Sequence, residues 1–270
     1  MRVSLFILFA ITAFGQTPLQ PPVINGIVPI FGTANTIQPG SWFSIYGSGL
    51  TCGVYNWNGD FPIQLGIFQS SGTVNVIVNG SSAYLWYASP TQINAQAPDD
   101  TTTGQVDVHV EFTCGNAVLN GGADASVTLA PVSPSLSLFD ATHPAAEIAT
   151  PNGSGAYGNG TYDLLGPPGI LTAPTRPARP GETLVLYGVG FGPTTPTVDA
   201  GRPFVGAAPT NYPVTVTIGG KSAPVAFAGM VGAGLYQINV TVPDLPAGDQ
   251  PLAALVNGVG TQTGIVVVVE

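Results

Sequence analysis

The stretch QVDVHVEF (Gln105–Phe112) holds three side chains that bind metals or move protons: Asp107, His109 and Glu111. In an extended chain, alternate positions share a face, so these three lie together and Val106, Val108 and Val110 lie behind them. The outer two would then stand about 13 Å apart, too far to share one ion without ligands from elsewhere. The expectation is a solvated strand face. The chain's other histidine, His143, precedes Pro144 in a loop and has no evident partner. No Gly-x-Ser-x-Gly elbow occurs, and Asp99 and Asp100 read as turn-formers, not as the paired carboxylates of a glycosidase. Neither an enzyme nor a cofactor or metal is expected.

The aromatic residues suggest contact chemistry instead. Trp42, Tyr55, Trp57, Trp86 and Tyr87 all fall in the first half of the chain. Tyr55, Asn56 and Trp57 lie in CGVYNWNGD, a loop expected to be exposed and pinned at one end by Cys52. Exposed rings stack on sugar faces or anchor protein interfaces. Tyr55, Asn56, Trp57, Trp86 and Tyr87 are therefore the candidate contact surface for an extracellular polysaccharide or another surface protein. In the competing reading, Trp42 and Trp86 flank a core and Trp57 covers its edge.

Charge narrows the choice of partner. The chain has 5 basic and 14 acidic residues, a net charge of −9. So few cations can neither displace the counterions of duplex phosphates nor hold the chain at an anionic lipid surface, which excludes nucleic acid and disfavours such membranes. Residues 1–15, MRVSLFILFAITAFG, have Arg2, an apolar run from Val3 to Ile11, and Ala13 and Gly15 before Gln16. That pattern predicts a signal peptide cut after Gly15, and its run is too short to span a bilayer. The mature chain is expected in the periplasm, outside the cell or on its surface, with no membrane span. In that oxidising setting Cys52 and Cys114 are expected to pair, closing a loop of about 60 residues worth about 4 kcal/mol. Two free thiols or half of a metal site are the alternatives.

The elements that must position these residues repeat. Glycine (36) and proline (26) punctuate short β-branched runs in a chain that is 44% apolar, the composition of a turn-rich all-β protein. QPGSWFSIYGSGL (Gln38–Leu50) matches RPGETLVLYGVGF (Arg179–Phe191), and VNVIVNGSSA (Val74–Ala83) matches VTVTIGGKSA (Val214–Ala223). QINAQAP and QINVTVP follow, with offsets of 141, 140 and 145 residues and the extra length near GMVGAGL. Two copies of one small β domain are implied.

Within each copy, Phe43 and Ile45, or Leu184 and Leu186, are expected to face inward. Asn79-Gly80 and Gly219-Gly220 supply hairpin turns, with SAYLWYA and SAPVAFA as the returning strands. The Tyr-Gly-x-Gly of each copy predicts a bulge or sharp bend. In both Gln-Ile-Asn segments the isoleucine is expected in the core. Gln92, Asn94, Gln237 and Asn239 are then structural residues, their amides bonded to the backbone of a neighbouring loop. The positions matching Trp42 and Trp86 are Thr183 and Ala226, so the aromatic set belongs to the first copy alone.

YASPTQINAQAPDDTTTGQVDVHV and AGLYQINVTVPDLPAGDQPLAALVNGVGTQTGIVVVV resemble a C-terminal domain of secreted acidobacterial proteins, itself similar to IPT/TIG immunoglobulin-like domains. The resemblance covers nearly all of the mature chain. It implies tandem immunoglobulin-like (E-set-like) β-sandwiches, an extracellular setting and no catalytic residues. The division follows: a signal peptide over 1–15, a short segment over 16–21, the first sandwich with its disulfide over 22–131, and the second over 179–270. Residues 132–178 contribute a first strand to the second sandwich and then a Gly/Pro-rich, partly ordered excursion. The function expected is a structural, adhesive or protein-interaction module, with carbohydrate binding through the aromatics as the alternative. The final GIVVVV is expected to be an open edge able to pair with another chain.

Overall fold

A computed structural model of the protein describes residues 21–57, 66–68, 72–114 and 119–270. The expected signal peptide and the far side of the CGVYNWNGD loop lie outside the described residues.

Valine at every second position gives the strands Gly72–Val78 and Gly104–Cys114 one apolar face each. Val74, Val76, Val78, Val108 and Val110 on those faces are 1% exposed or less. They meet Phe43, Ile45, Leu85, Ile93 and Ala95, which the opposite sheet sends inward and which are buried completely. Each buried Val, Leu, Ile or Phe side chain contributes roughly 1.5–3 kcal/mol on burial. The opposite sheet has five strands in the order Val23–Pro29, Trp42–Ser48, Gln92–Gln96, Tyr84–Ala88, Tyr55–Asn56. The valine-rich sheet runs Thr36–Ile37, Leu119–Leu129, Gly104–Cys114, Gly72–Val78, Gly66–Phe68.

The second half repeats this pairing scheme. Thr183–Val189 pairs with Ala146–Ala149 on one side and Leu235–Thr241 on the other, and Leu235–Thr241 pairs in turn with Val225–Gly232. In the facing sheet, Val214–Ile218 pairs with Lys221–Ala223 and with Gly248–Val256. Leu184, Leu186, Phe191, Ile218, Ile238 and Val240 form its own core. The protein is two tandem all-β sandwiches, each with its own core. Among the described residues no helix is long and apolar enough to cross a membrane.

Four expectations need correction or sharpening. The hairpin at Asn79-Gly80 is only two pairs long, Ile77↔Ser82 and Val78↔Ser81. After the buried Ala83 the chain crosses to the other sheet, where Tyr84–Ala88 joins Gln92–Gln96. A sandwich needs Leu85 and Ala88 from the facing layer, and a prolonged hairpin would have kept them in the same one. Second, the glycine following each Tyr answers a close approach. A Cβ on Gly47 would collide with the carbonyl of Val23, and one on Gly188 with that of Ser135. The bulge itself lies on the partner strand, between Ile24 and Gly26.

Third, the excursion after Ala149 extends the sheet. Tyr162–Leu165 lies antiparallel to Ala146–Ala149, and Thr175–Arg176 lies parallel to Tyr162–Leu165. Side-chain partners that follow no period hold these short strands. Arg176 donates to Asp163 at 2.8 Å and to both oxygens of Glu182 at 2.8 and 2.9 Å, and the Tyr157 and Tyr162 rings stack at 5.8 Å. Burial alone would raise the Asp163 and Glu182 carboxyls, but the Arg176 bonds outweigh it and leave both below the usual range.

Fourth, the terminal strand Val266–Val269 is not an open edge. It pairs with Gly248–Pro251 on one side, and on the other Ala178 donates to Val268 and accepts from Glu270. The oxidised pair Cys52–Cys114, Cα atoms 6.0 Å apart, ties the loop after Trp42–Ser48 to the end of Gly104–Cys114, so it links the two sheets. A disulfide of this kind persists in an oxidising compartment.

Candidate functional site

Alternation along three neighbouring strands builds the site. Because Phe43 and Ile45 enter the core, Trp42, Ser44 and Tyr46 face the other way. Because Ile93 and Ala95 enter it, Gln92, Asn94 and Gln96 face outward beside them. In the third strand a register shift between Leu85 and Tyr87 inserts one extra residue, so Trp86 and Tyr87 both lie outside between the inward Leu85 and Ala88. The register sets Tyr46 opposite Gln92, Ser44 opposite Asn94, and Asn94 opposite Tyr87. Asn56, on the edge strand, stands opposite Tyr87.

The result is a neutral outer face on which amides lie between rings. Tyr46 is 43% and Trp86 46% exposed. Gln92 Nε2 donates to Asn94 Oδ1 at 2.9 Å, and Ser44 Oγ donates to the same oxygen at 2.9 Å. These bonds fix both amides while leaving Gln92 Oε1 and Asn94 Nδ2, an acceptor and a donor, for other partners. The amides were expected to hold a loop backbone; each pair instead bonds along its own strand, as Gln237 does to Asn239 at 2.8 Å. With strands about 4.8 Å apart, Tyr46 and Tyr87 flank the amides across roughly 10 Å.

Not every candidate reaches this face. Asn56, Trp86 and Tyr87 do. Tyr55 packs against the core from the edge strand. Trp57 is half-buried and its backbone N–H donates to the Trp86 carbonyl at 2.8 Å. Sequence reasoning missed Tyr46 as a member, although its place one residue beyond the inward Ile45 was the available signal.

Trp42 neither flanks the core nor joins the open face. Its indole Nε1 donates to the Ala233 carbonyl of the second sandwich at 2.7 Å, and its ring meets Trp86 edge-on at 5.7 Å. Around it the two sandwiches are bolted together by buried amides. Gln38 accepts from Gly192 N at 2.6 Å and donates to the Tyr236 hydroxyl at 3.2 Å. Gln96, 2% exposed, accepts from Gly201 N at 2.9 Å and donates to Gly40 O at 2.8 Å. Asp99 is a member of this joint and not merely a turn residue: it accepts from Ala200 N at 3.0 Å, and burial pushes its carboxyl up.

The strand face first singled out for chemistry is occupied by local pairs. His109 Nδ1 lies 2.7 Å from Asp124 Oδ1, and Glu111 accepts from Asn75 Nδ2 at 3.0 Å. No group of three metal-binding side chains occurs among the described residues. His143, expected without a partner, lies 2.9 Å from Asp140 Oδ2. The Thr142 backbone N–H and then the His143 ring hold the Asp140 carboxyl far below its ordinary range.

Fold and site together define an all-β, two-sandwich protein with an aromatic-amide sheet face. No family model and no curated protein matches the chain. Among solved structures it is similar to the surface glycan-binding protein SGBP-B of the Bacteroides ovatus mixed-linkage glucan utilization locus, in complex with a heptasaccharide. That likeness has 14% identity and a TM-score of 0.33, over 87% of this chain and 43% of the other. PbSGBP-B of Prevotella bryantii is similar at 11% identity and a TM-score of 0.27, over 92% of this chain and 42% of the other. The plexin A4 extracellular region is similar at 13% and 0.27, over 92% and 18%. This chain spans less than half the length of each.

Proposed function

We propose that the protein is a non-enzymatic, extracellular polysaccharide-binding module, and that it contacts its ligand through the outer face of the five-stranded sheet. The observation that carries this reading is the row Tyr46, Gln92, Asn94, Tyr87 with Trp86 beside it. Aromatic faces stack on the C–H surfaces of sugar rings, while fixed amides satisfy hydroxyls at their rim. No charged side chain stands among them, which suits a neutral glycan. The Cys52–Cys114 disulfide supports the extracellular setting.

Affinity electrophoresis through gels containing neutral polysaccharides tests the proposal. Wild type is expected to be retarded by at least one of them. Trp86→Ala and Tyr87→Ala should each weaken retention about tenfold, the equivalent of 1.4 kcal/mol. His109→Ala should leave it unchanged. Migration unaffected by every neutral polysaccharide, with folding verified by circular dichroism, overturns the proposal.

A further inference from the structure

The second sandwich builds the same face. Tyr187 stands opposite Gln237 as Tyr46 stands opposite Gln92. Phe227 stands opposite Asn239 as Tyr87 stands opposite Asn94. The one-residue insertion recurs too, between Val225 and Phe227 where the first copy has it between Leu85 and Tyr87. The amide bond within the strand is 2.8 Å in one copy and 2.9 Å in the other.

Elsewhere on the same outer side of the sheet the copies have diverged. Trp42 corresponds to Thr183, Ser44 to Val185, Trp86 to Ala226 and Gln96 to Thr241. Trp42 and Gln96 serve the joint in the first copy and Ser44 is buried against Asn94, so these positions answer to surroundings the two copies do not share. Tyr, Gln, Asn and a second ring have stayed together at four adjoining positions. None of the four side chains is fully buried in the second sandwich, so the group remains open to solvent at its rims.

We infer that the second sandwich holds a second site for the same ligand class, a neutral hydroxyl-rich polysaccharide, built on Tyr187, Phe227, Gln237 and Asn239. The inference rests on the reading of the first face. Glu147, opposite Val185 on the next strand and close to the Tyr187 phenol, adds a carboxylate at its border. A carboxylate there accepts from sugar hydroxyls and repels anionic sugars. The joint at Trp42 and Gln38 holds both faces in one body, so a long glycan reaching both would bind with avidity beyond either alone.

Calorimetry with a short neutral oligosaccharide cut from the polysaccharide that retards the full chain separates the outcomes. Wild type is expected to bind two oligosaccharides per chain. Tyr46→Ala/Tyr87→Ala and Tyr187→Ala/Phe227→Ala should each bind one and lose at least tenfold in polysaccharide retention. One oligosaccharide per wild-type chain, lost only with the Tyr46/Tyr87 pair, overturns the second site and leaves the first standing. A wild type that binds no polysaccharide overturns both. Asn239→Asp, nearly isosteric, serves if the double variant fails to fold: it should halve the stoichiometry at unchanged melting temperature, and unchanged stoichiometry counts against the site.

Discussion

Trp42 and Ala233 belong to different sandwiches, yet the indole Nε1 of one donates to the carbonyl of the other at 2.7 Å. Ala233 lies in the turn between Val225–Gly232 and Leu235–Thr241, the segment in which the second copy is longer than the first. The added length lets that hairpin reach its neighbour, and Gly234 makes the approach possible. Its φ is +66°, and a Cβ there would stand 2.7 Å from the Trp42 ring. Gly201 does the same for the ring of Tyr84.

Replacing Gly234 should therefore open the joint. Gly234→Ala is expected to cost about 1–3 kcal/mol, from the left-handed backbone and the displaced indole. Trp42→Phe removes the pyrrole ring that packs on Gly234 together with its hydrogen bond, about 1–3 kcal/mol. Limited proteolysis between residues 131 and 134 should accelerate in Gly234→Ala. A cleavage rate equal to wild type would count against the joint as described.

Alkali should weaken the same region. Burial pushes the Tyr236 phenol up to about 12 from 10, with Gln38 lowering part of that shift. Its folded-state value is raised, so the stability it contributes is complete below pH 10 and is lost as pH rises towards about 12. Urea midpoints measured across that window should fall more steeply in wild type than in Tyr236→Phe. Parallel curves would refute the assignment.

The disulfide bridges residues 62 apart in sequence. Cys52→Ala/Cys114→Ala should lose about 4 kcal/mol by the chain-entropy relation. The loss should appear in the first sandwich alone, because the second has a separate core. Urea unfolding followed by tryptophan emission reports it, since Trp42, Trp57 and Trp86 all belong to the first copy.

Deleting residues 266–270 should unfold the second sandwich; it should not dissolve an assembly. Val267 and Val269 are buried, and Glu270 Oε1 accepts from Arg179 at 2.7 Å. Losing two buried valines removes roughly 3–6 kcal/mol, comparable to the whole stability of a domain. A truncated protein that melts like wild type would show the strand to be dispensable.

Alternation and turn chemistry were legible because each is a local rule. Val74, Val76 and Val78 could face only one way, Asn79-Gly80 could only turn, and the Tyr-Gly-x-Gly and Gln-Ile-Asn landmarks in register declared a duplicated β domain. Ile93 and Ile238 were assigned to the core from the same period. The strands at Tyr162–Leu165 and Thr175–Arg176 were not legible. They are too short to show a period, and Arg176 with its two carboxylates holds them.

The sequence by itself determined the pleat of each strand, and hence which residues of a copy face its core. Only the tertiary structure decided which outward residues become neighbours: that Tyr46 adjoins Gln92, that Tyr87 adjoins Asn94, and that Trp42 is spent on the joint while Trp86 stays open. The reason is physical. Side-chain direction follows from the period of one strand, whereas adjacency depends on strand order and register, set by contacts between residues far apart in the chain.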